Sequence, residues 1–518
     1  MVWRRDDAQC NESRKIVWEA APHLRGRGLD IGAGDFKVLP HAISVDNFHH
    51  AAFGFNMKPD VTADATNLEM FASQSMDFVY SSHTLEHVSD YAATLKEWWR
   101  VLKVGGRLVL YLPHKDFYPN KGEKGANPDH KHDFLPADIL AAMPPGWDLL
   151  DHQERNETNE YSFFLVFKKL NGKVNRQSWK DPKPEKTVCV VRYGAYGDLM
   201  QSSSVWAELK AQGYHVTLMC SLPGADIVRE DPNIDHLMLL DKDQVPNADL
   251  GSFWAWQKPK FTKWVNLCES VEGSLLAMPN RTIHLYPAKL RHSMLNRNYV
   301  EFQHAVAEVP YVLRTKFYAT EEEKKWAIAE RKKFGGSQVI VWSLAGSSVH
   351  KTWAGLDGTL ASLMLEYPTC RVVLTGGPEC VILEAGWEDE LRILKRSGVW
   401  TMRQTLSFLA VADLVIGPET GVLNAAACMP VRKIIFLSHS SQENLTRDWL
   451  NCTTLASADT HCPGRGANSA PACHQLHYGW DHCKRDEETG TAQCQKDIPG
   501  ETVWSAVKAH LNDHLRHV

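Results

Sequence analysis

RGLDIGAG, residues 27–34, joins a short apolar run to a turn carrying Gly32 and Gly34. An apolar run that ends abruptly in G-x-G is a strand whose exit turn lets backbone approach a ligand closely. The third glycine of the dinucleotide fingerprint is missing, and Lys37 stands where it would fall. Working outward, AISVD (42–46), MDFVYSS (76–82) and GRLVLYLP (106–113) are further short apolar runs, read as buried parallel strands. Between the last two, LEHVSDYAATLKEWWRVLKVGG (85–106) predicts a helix with a glycine stop. GWDLLDHQERNETNEYSFFLVFKKL (146–170) reads as two strands around a polar turn, an antiparallel hairpin closing the sheet. Residues 1–170 are therefore expected to form one doubly wound α/β domain.

Acids at strand ends give the turn its meaning. Asp46 ends ISVD, where a carboxylate can accept from two ribose hydroxyls. Asp64 lies in VTADATNL (61–68), where it or the Ala65 amide would meet an adenine. By itself G-x-G also suits a structural turn; with Asp30, Asp46 and Asp64 in strand context it describes a nucleotide pocket. LDIGAG, SVD, ADATNL, SSHTLEHV and RVLKVGGRLVLYLP together resemble class I methyltransferases of the small-molecule-methylating kind, across nearly all of 26–170. The resemblance implies S-adenosyl-L-methionine between Gly32, Gly34, Asp46 and Asp64. Val104 stands where that family usually has proline, a change confined to a turn.

His83-Thr84-Leu85-Glu86-His87 spells H-x-x-E-H, a pattern shared with some zinc peptidases. There it needs a helix and a distant third ligand, whereas here it follows a strand end over the expected cofactor. His83 or His87 is a candidate base for an acceptor hydroxyl, and packing or gating is an equal alternative. HKDFYPNKGEKGANPDHKHDF (114–134) is long for a loop and suits a substrate lid, with His114, His130 and His132 as its candidate contacts.

NGKVNRQSWKDPKPEK (171–186) is polar, charged and aperiodic, and reads as a linker. Two more α/β stretches follow, 187–318 and 319–518, the second holding the strands QVIVWSLAG, CRVVLTGG, DLVIGPE and RKIIFLS. RYGAYGD (192–198) opens a helix after a strand, and such a turn offers amides to an anionic ligand. Asp198 could take a proton from an acceptor hydroxyl, or simply cap its helix. Ser347 and Lys351 follow the strand QVIVWSLAG (338–346), and a lysine there could neutralise a departing diphosphate. Gly376, Gly377 and Glu379 stand in LTGGPE, and Glu419, Thr420, Gly421 and Asn424 in GPETGVLNAAA (417–427).

With VNLCESVE (265–272), these segments resemble the heptosyltransferases of glycosyltransferase family 9 over roughly 187–507. The resemblance implies a GT-B fold of two Rossmann-like lobes, acceptor lobe first. It also implies inverting, metal-independent transfer from a nucleotide-diphospho-sugar. It assigns Asp198 as the base, Lys351 to the phosphate, and Glu419-Thr420-Gly421 to the donor. Glu419 replaces the family's aspartate and Asn424 its histidine, which bears on which donor is used. Asp241-Lys242-Asp243 imitates a metal-binding D-x-D that the fold does not need.

Cys462, Cys473, Cys483 and Cys494, within the cysteine-bearing stretch 452–494, recur at intervals of about ten and could hold a structural zinc, or be thiols or a disulfide. The 518 residues are 44% hydrophobic and 23% charged, ordinary for globular protein. A net charge of −5 argues against a nucleic-acid partner. No apolar run reaches the length of a membrane span, which leaves a peripheral membrane contact open. The charged start MVWRRDDAQCNESRK is no secretory signal, so a cytoplasmic location is expected. The whole reads as a bifunctional transferase acting on a glycan or small-molecule acceptor. The alternative is a single activity with one half kept as a binding module.

Overall fold

The computed structural model describes residues 12–47, 58–157, 159–241, 243–269, 297–336, 338–346, 351–438, 440–457 and 485–515. They form two compact units, Met1–Pro184 with Leu240–Trp256, and Glu185–Leu239 with Gln257–Val518. The architecture is α/β throughout, with three Rossmann-like sheets.

The first unit holds β1 (Gly28–Ile31), β2 (Ile43–Asp46), β3 (Val61–Thr62), β4 (Met76–Ser82), β5 (Leu102–Pro113), β6 (Trp147–Glu157) and β7 (Glu160–Lys169). They form one seven-stranded sheet in the order β3-β2-β1-β4-β5-β7-β6. The first five are parallel, and β7 enters antiparallel between β5 and β6. The terminal hairpin read from the sequence is therefore present. Strand alternation sorts the core into two layers, because successive side chains leave opposite faces. Leu108, Leu110, Leu112, Phe163, Leu165 and Phe167 face one layer with Leu95 and Trp98 of the helix Tyr91–Val101. Val109, Tyr111, Phe164 and Val166 face the other with Ile16 and Val17 of the helix Glu12–Ala20.

The continuous helix expected over 85–106 is broken. Leu85–His87 is a single 3₁₀ turn, and the helix starts after Asp90, whose carboxylate caps the Ala93 amide at 2.9 Å. At Leu102 the chain passes directly into β5, and Gly105, with φ +85°, sits within that strand. The stretch expected as a linker also carries structure. Arg176 pairs with β6 through the Leu149 amide (2.9 Å) and the Trp147 carbonyl (2.8 Å), and Asp148 binds Ser178. Leu240–Trp256, which lies inside the stretch 187–318 in sequence, belongs to this first unit. Trp18 meets Phe253 and Trp256 at ring distances of 6.3 and 5.7 Å, and Gln244 donates to the Ala21 carbonyl.

The second unit contains two parallel sheets. β8 (Thr187–Val191), β9 (His215–Cys220), β10 (His236–Leu239) and β11 (Lys263–Asn266) run in the order β10-β9-β8-β11. β12 (Val339–Ser343), β13 (Arg371–Thr375), β14 (Ile393–Lys395), β15 (Leu414–Pro418), β16 (Arg432–Leu437) and β17 (Cys452–Ala456) run in the order β14-β13-β12-β15-β16-β17. Val188 and Val190 of β8 share one apolar core with Val339 and Val341 of β12. Buried Arg403 adds a polar lock. It binds the Glu323 carboxylate at 2.6 and 2.7 Å, and the carbonyls of Asp226, Ile227 and Tyr318. Trp98, Trp206 and Trp342 are among the largest fully buried side chains of the described residues.

Candidate functional site

In the first unit, the turn after β1 stands where the sequence placed it. Gly32 has φ +74°, and a Cβ there would overlap the Thr84 hydroxyl. Gly34 has φ +53°, and the space a Cβ would enter is open for 4 Å. Its amide donates to Asp46 Oδ2 at 3.1 Å. The chain thus offers an uncovered backbone turn beside a strand-end carboxylate, a cradle of the kind a nucleoside-bearing cofactor needs. Asp30 lies deeper: its carboxylate accepts the Val38 amide at 2.6 Å, and burial raises its pKa to about 7. It holds the loop that carries the glycines. Asp64 accepts from both the amide and the hydroxyl of Thr66, and the Ala65 carbonyl accepts from Trp98 Nε1 at 2.8 Å.

Beside this turn lies a polar cluster. His83 adopts φ +48°, and its Nε2 pairs with Ser162 Oγ at 2.9 Å. Burial, with help from Lys15 and two neighbouring histidines, holds its pKa well below the usual imidazole value. It is therefore neutral near pH 7, as a base must be before it acts. Glu86 is fully buried, and burial raises its pKa to about 8, with Glu12 adding to the effect. His83, His87 and His130 surround Glu86 Oε1 at 3.7, 3.9 and 3.8 Å. The stretch 114–134 packs against the turn holding Glu86, whose carbonyl accepts the Lys131 and His132 amides. His114 stacks on Phe117, and His132 on Phe134, so of the three histidines singled out in this stretch His130 is the one facing the cluster. Glu12 and Tyr161, which the sequence did not single out, border it: Glu12 lies 3.7 Å from His83 and accepts the Tyr161 hydroxyl at 2.8 Å.

In the second unit, Asp198 lies in the first turn of the helix Tyr196–Ala211. Its Oδ2 accepts the Ala195 amide at 2.6 Å, and its Oδ1 pairs with buried Arg192 at 2.9 Å. Arg192 also donates to the Tyr299 hydroxyl. Thr420 caps the short helix Gly421–Ala426 and shares a hydrogen bond with Ser343 Oγ at 3.2 Å. Both helix starts meet closely: a Cβ on Gly421 would lie 2.8 Å from Tyr196 Cβ. Gln201 donates to Asn424 Oδ1 at 2.8 Å. Glu419 is buried, accepting the Ser438 and Ser440 amides and the Ser440 hydroxyl. Lys351 returns over Gly346, whose amide its carbonyl accepts at 3.0 Å. Trp353 stacks on Trp342 in the core. Gly376 and Gly377 leave room for Cys380 and Glu379. Tyr196, Gly197 and Gln201 of the Asp198 helix thus meet Gly421 and Asn424, while Glu419 turns inward. Ser347, Cys462, Cys473 and Cys483 lie outside the described residues. Cys494 sits in the short helix Gln493–Lys496.

Residues 29–110 match the family described as "Methyltransferase domain". A curated demethylmenaquinone methyltransferase of Roseiflexus sp. (strain RS-1) is 37% identical over 105 residues, 17% of this chain. The match spans 44% of that relative, less than half its length. Among solved structures, the ADP-heptose lps heptosyltransferase II of E. coli is 14% identical, with TM-score 0.44. It is matched over 63% of this chain and 99% of its own. An S-adenosylmethionine-dependent methyltransferase from Mesorhizobium loti is 18% identical, with TM-score 0.26, over 32% of this chain and all of its own. No helix among the described residues is long and apolar enough to cross a membrane.

Proposed function

We propose that the first unit transfers a methyl group from S-adenosylmethionine to a hydroxyl of a small-molecule or glycan acceptor. The observation that carries this reading is the coincidence of the methyltransferase family match with the open turn at Gly34 beside Asp46. The cofactor supplies an electrophilic methyl. Gly32 and Gly34 present backbone to it, Asp46 receives the ribose hydroxyls, and the Asp64–Ala65 turn borders the base. His83, neutral near pH 7, or alternatively His87 accepts the acceptor's hydroxyl proton as its oxygen bonds to the methyl carbon. The stretch 114–134 covers the acceptor and excludes water. Equilibrium dialysis with labelled S-adenosylmethionine tests this: the wild type retains label, and Gly34→Val, which fills the open turn, does not. Label retained equally by both would overturn the assignment.

The second unit reads as an inverting glycosyltransferase of GT-B type, using a nucleotide-diphospho-sugar without a metal. Asp198 takes the acceptor proton while the acceptor oxygen bonds to the anomeric carbon and the bond to the diphosphate breaks. Arg192 keeps the Asp198 carboxylate in place, and Lys351 neutralises the leaving diphosphate. Gly376, Gly377, Thr420 and Gly421 lie toward the donor. Asp198→Asn preserves the shape and should lower kcat by 100-fold or more, on the order of what a positioned base contributes. An unchanged rate with a transferred sugar would remove Asp198 as the base.

A second reading has its own observation. Glu419 and Asn424, the two departures from the resembled donor motif, are both engaged in internal hydrogen bonds. A unit with a lost donor site would bind and orient a glycan without transferring sugar. Calorimetric titration with nucleoside diphosphates separates the two, because a lost site gives no heat. Action on a cytoplasmic or membrane-peripheral glycan precursor fits either reading.

A further inference from the structure

We propose that Glu86, His87 and His130 form a binding site for one divalent transition-metal ion. One donor atom from each of the three residues falls within 4.8 Å of the other two. Glu86 Oε1 is 3.9 Å from His87 Nε2 and 3.8 Å from His130 Nε2. Donors around one tetrahedral ion lie about 3.3 Å apart, so closure needs roughly half an ångström at each of the two edges to Glu86 and at most about 1.5 Å at the edge between the histidines.

The second observation is independent of spacing. The Glu86 side chain has no solvent exposure, and neither carboxylate oxygen has a hydrogen-bond partner among the described residues. A buried carboxylate left so is costly, and the surrounding imidazoles stand beyond hydrogen-bond length. A cation at the centre satisfies the carboxylate and the two imidazoles together.

The backbone holds the ligands in place. Glu86 and His87 ride the 3₁₀ turn after β4, and the Glu86 carbonyl straps down the Lys131 and His132 amides. His130, with a 5% exposed side chain, is thereby fixed across from Glu86. Two imidazoles and one carboxylate suit Zn²⁺, Co²⁺, Mn²⁺ or Fe²⁺. Three protein ligands leave positions for oxygen donors, water or a hydroxyl of the acceptor. Only that last role rests on the methyl-transfer reading; the metal site itself does not.

The test uses the full chain, stripped with a chelator and dialysed against Co²⁺ or Zn²⁺, beside Glu86→Gln, His130→Ala and the control His132→Ala. The wild type and the control should each bind one equivalent more than Glu86→Gln and His130→Ala. Any metal held by the C-terminal cysteines is common to all four and cancels. Affinity at this site should fall by more than about 100-fold, since outer-shell partners alone can account for that much. Zn²⁺ should raise the melting temperature of the wild type through this site, with that increment absent from Glu86→Gln. Equal stoichiometry in wild type, Glu86→Gln and His130→Ala overturns the proposal. A chain that binds the metal here but retains no labelled S-adenosylmethionine in equilibrium dialysis would instead remove the methyl-transfer reading and leave the site.

Discussion

Asp30 shows how one buried group sets a pH dependence. Burial raises its pKa to about 7 in the folded protein, from the ordinary aspartate value of 3.8. The folded state therefore keeps a proton that the unfolded chain has lost, and this contribution to stability is lost as pH rises from about 4 through 7. Asp30→Asn keeps an acceptor for the Val38 amide without the charge. Its stability relative to wild type should improve between pH 5 and pH 8 by about 2.6 kcal/mol, measured by denaturant unfolding. A difference that does not change with pH would show that burial leaves Asp30 unshifted. Asp198 makes the complementary point. Base and helix cap were open alternatives, and the geometry shows the capping contact to Ala195 together with an ion pair to Arg192. A cap can hold a base in position, so only the rate of Asp198→Asn separates the roles. Arg192 stood in the quoted motif, yet nothing in a sequence marks an arginine as fully buried.

Among the elements, the strands were the most legible. The buried ones, such as β1, β4, β12 and β15, are short apolar runs, because a strand covered on both faces has no polar face to show. The helix over 85–106 was misjudged because an apolar run such as VLKV fits either a helix end or a strand start. Asp90 decided the start, by capping Ala93. The two helix starts at Tyr196 and Gly421 give the sharpest element-scale expectation. Gly421→Ala places a methyl 2.8 Å from Tyr196 Cβ and 3.2 Å from the Gly197 nitrogen. Backbone cannot move aside cheaply, so the variant should lose about 1–3 kcal/mol in urea unfolding. Wild-type stability would mean that the helices do not approach so closely.

For the molecule as a whole, connections distant in sequence matter most. Arg403 ties the segments at Asp226 and Glu323 to its own helix within the second unit. Arg403→Ala leaves Glu323 without its 2.6 Å partner and should destabilise that unit by about 3 kcal/mol, read by calorimetry. A melting profile unchanged from wild type would reduce Arg403 to a surface-like pair. Sequence alone determined the number and kind of sheets, the glycine turn at 32–34 and the Asp46 carboxylate beside it. Those depend on local periodicity and on glycine's freedom at positive φ, which neighbours in the chain dictate. Tertiary structure alone decided that Leu240–Trp256 belongs with the first unit, that Glu419 turns inward, and that His130 crosses 43 residues of chain to face His87. Such pairings depend on which surfaces close over one another, and chain order does not encode that distance.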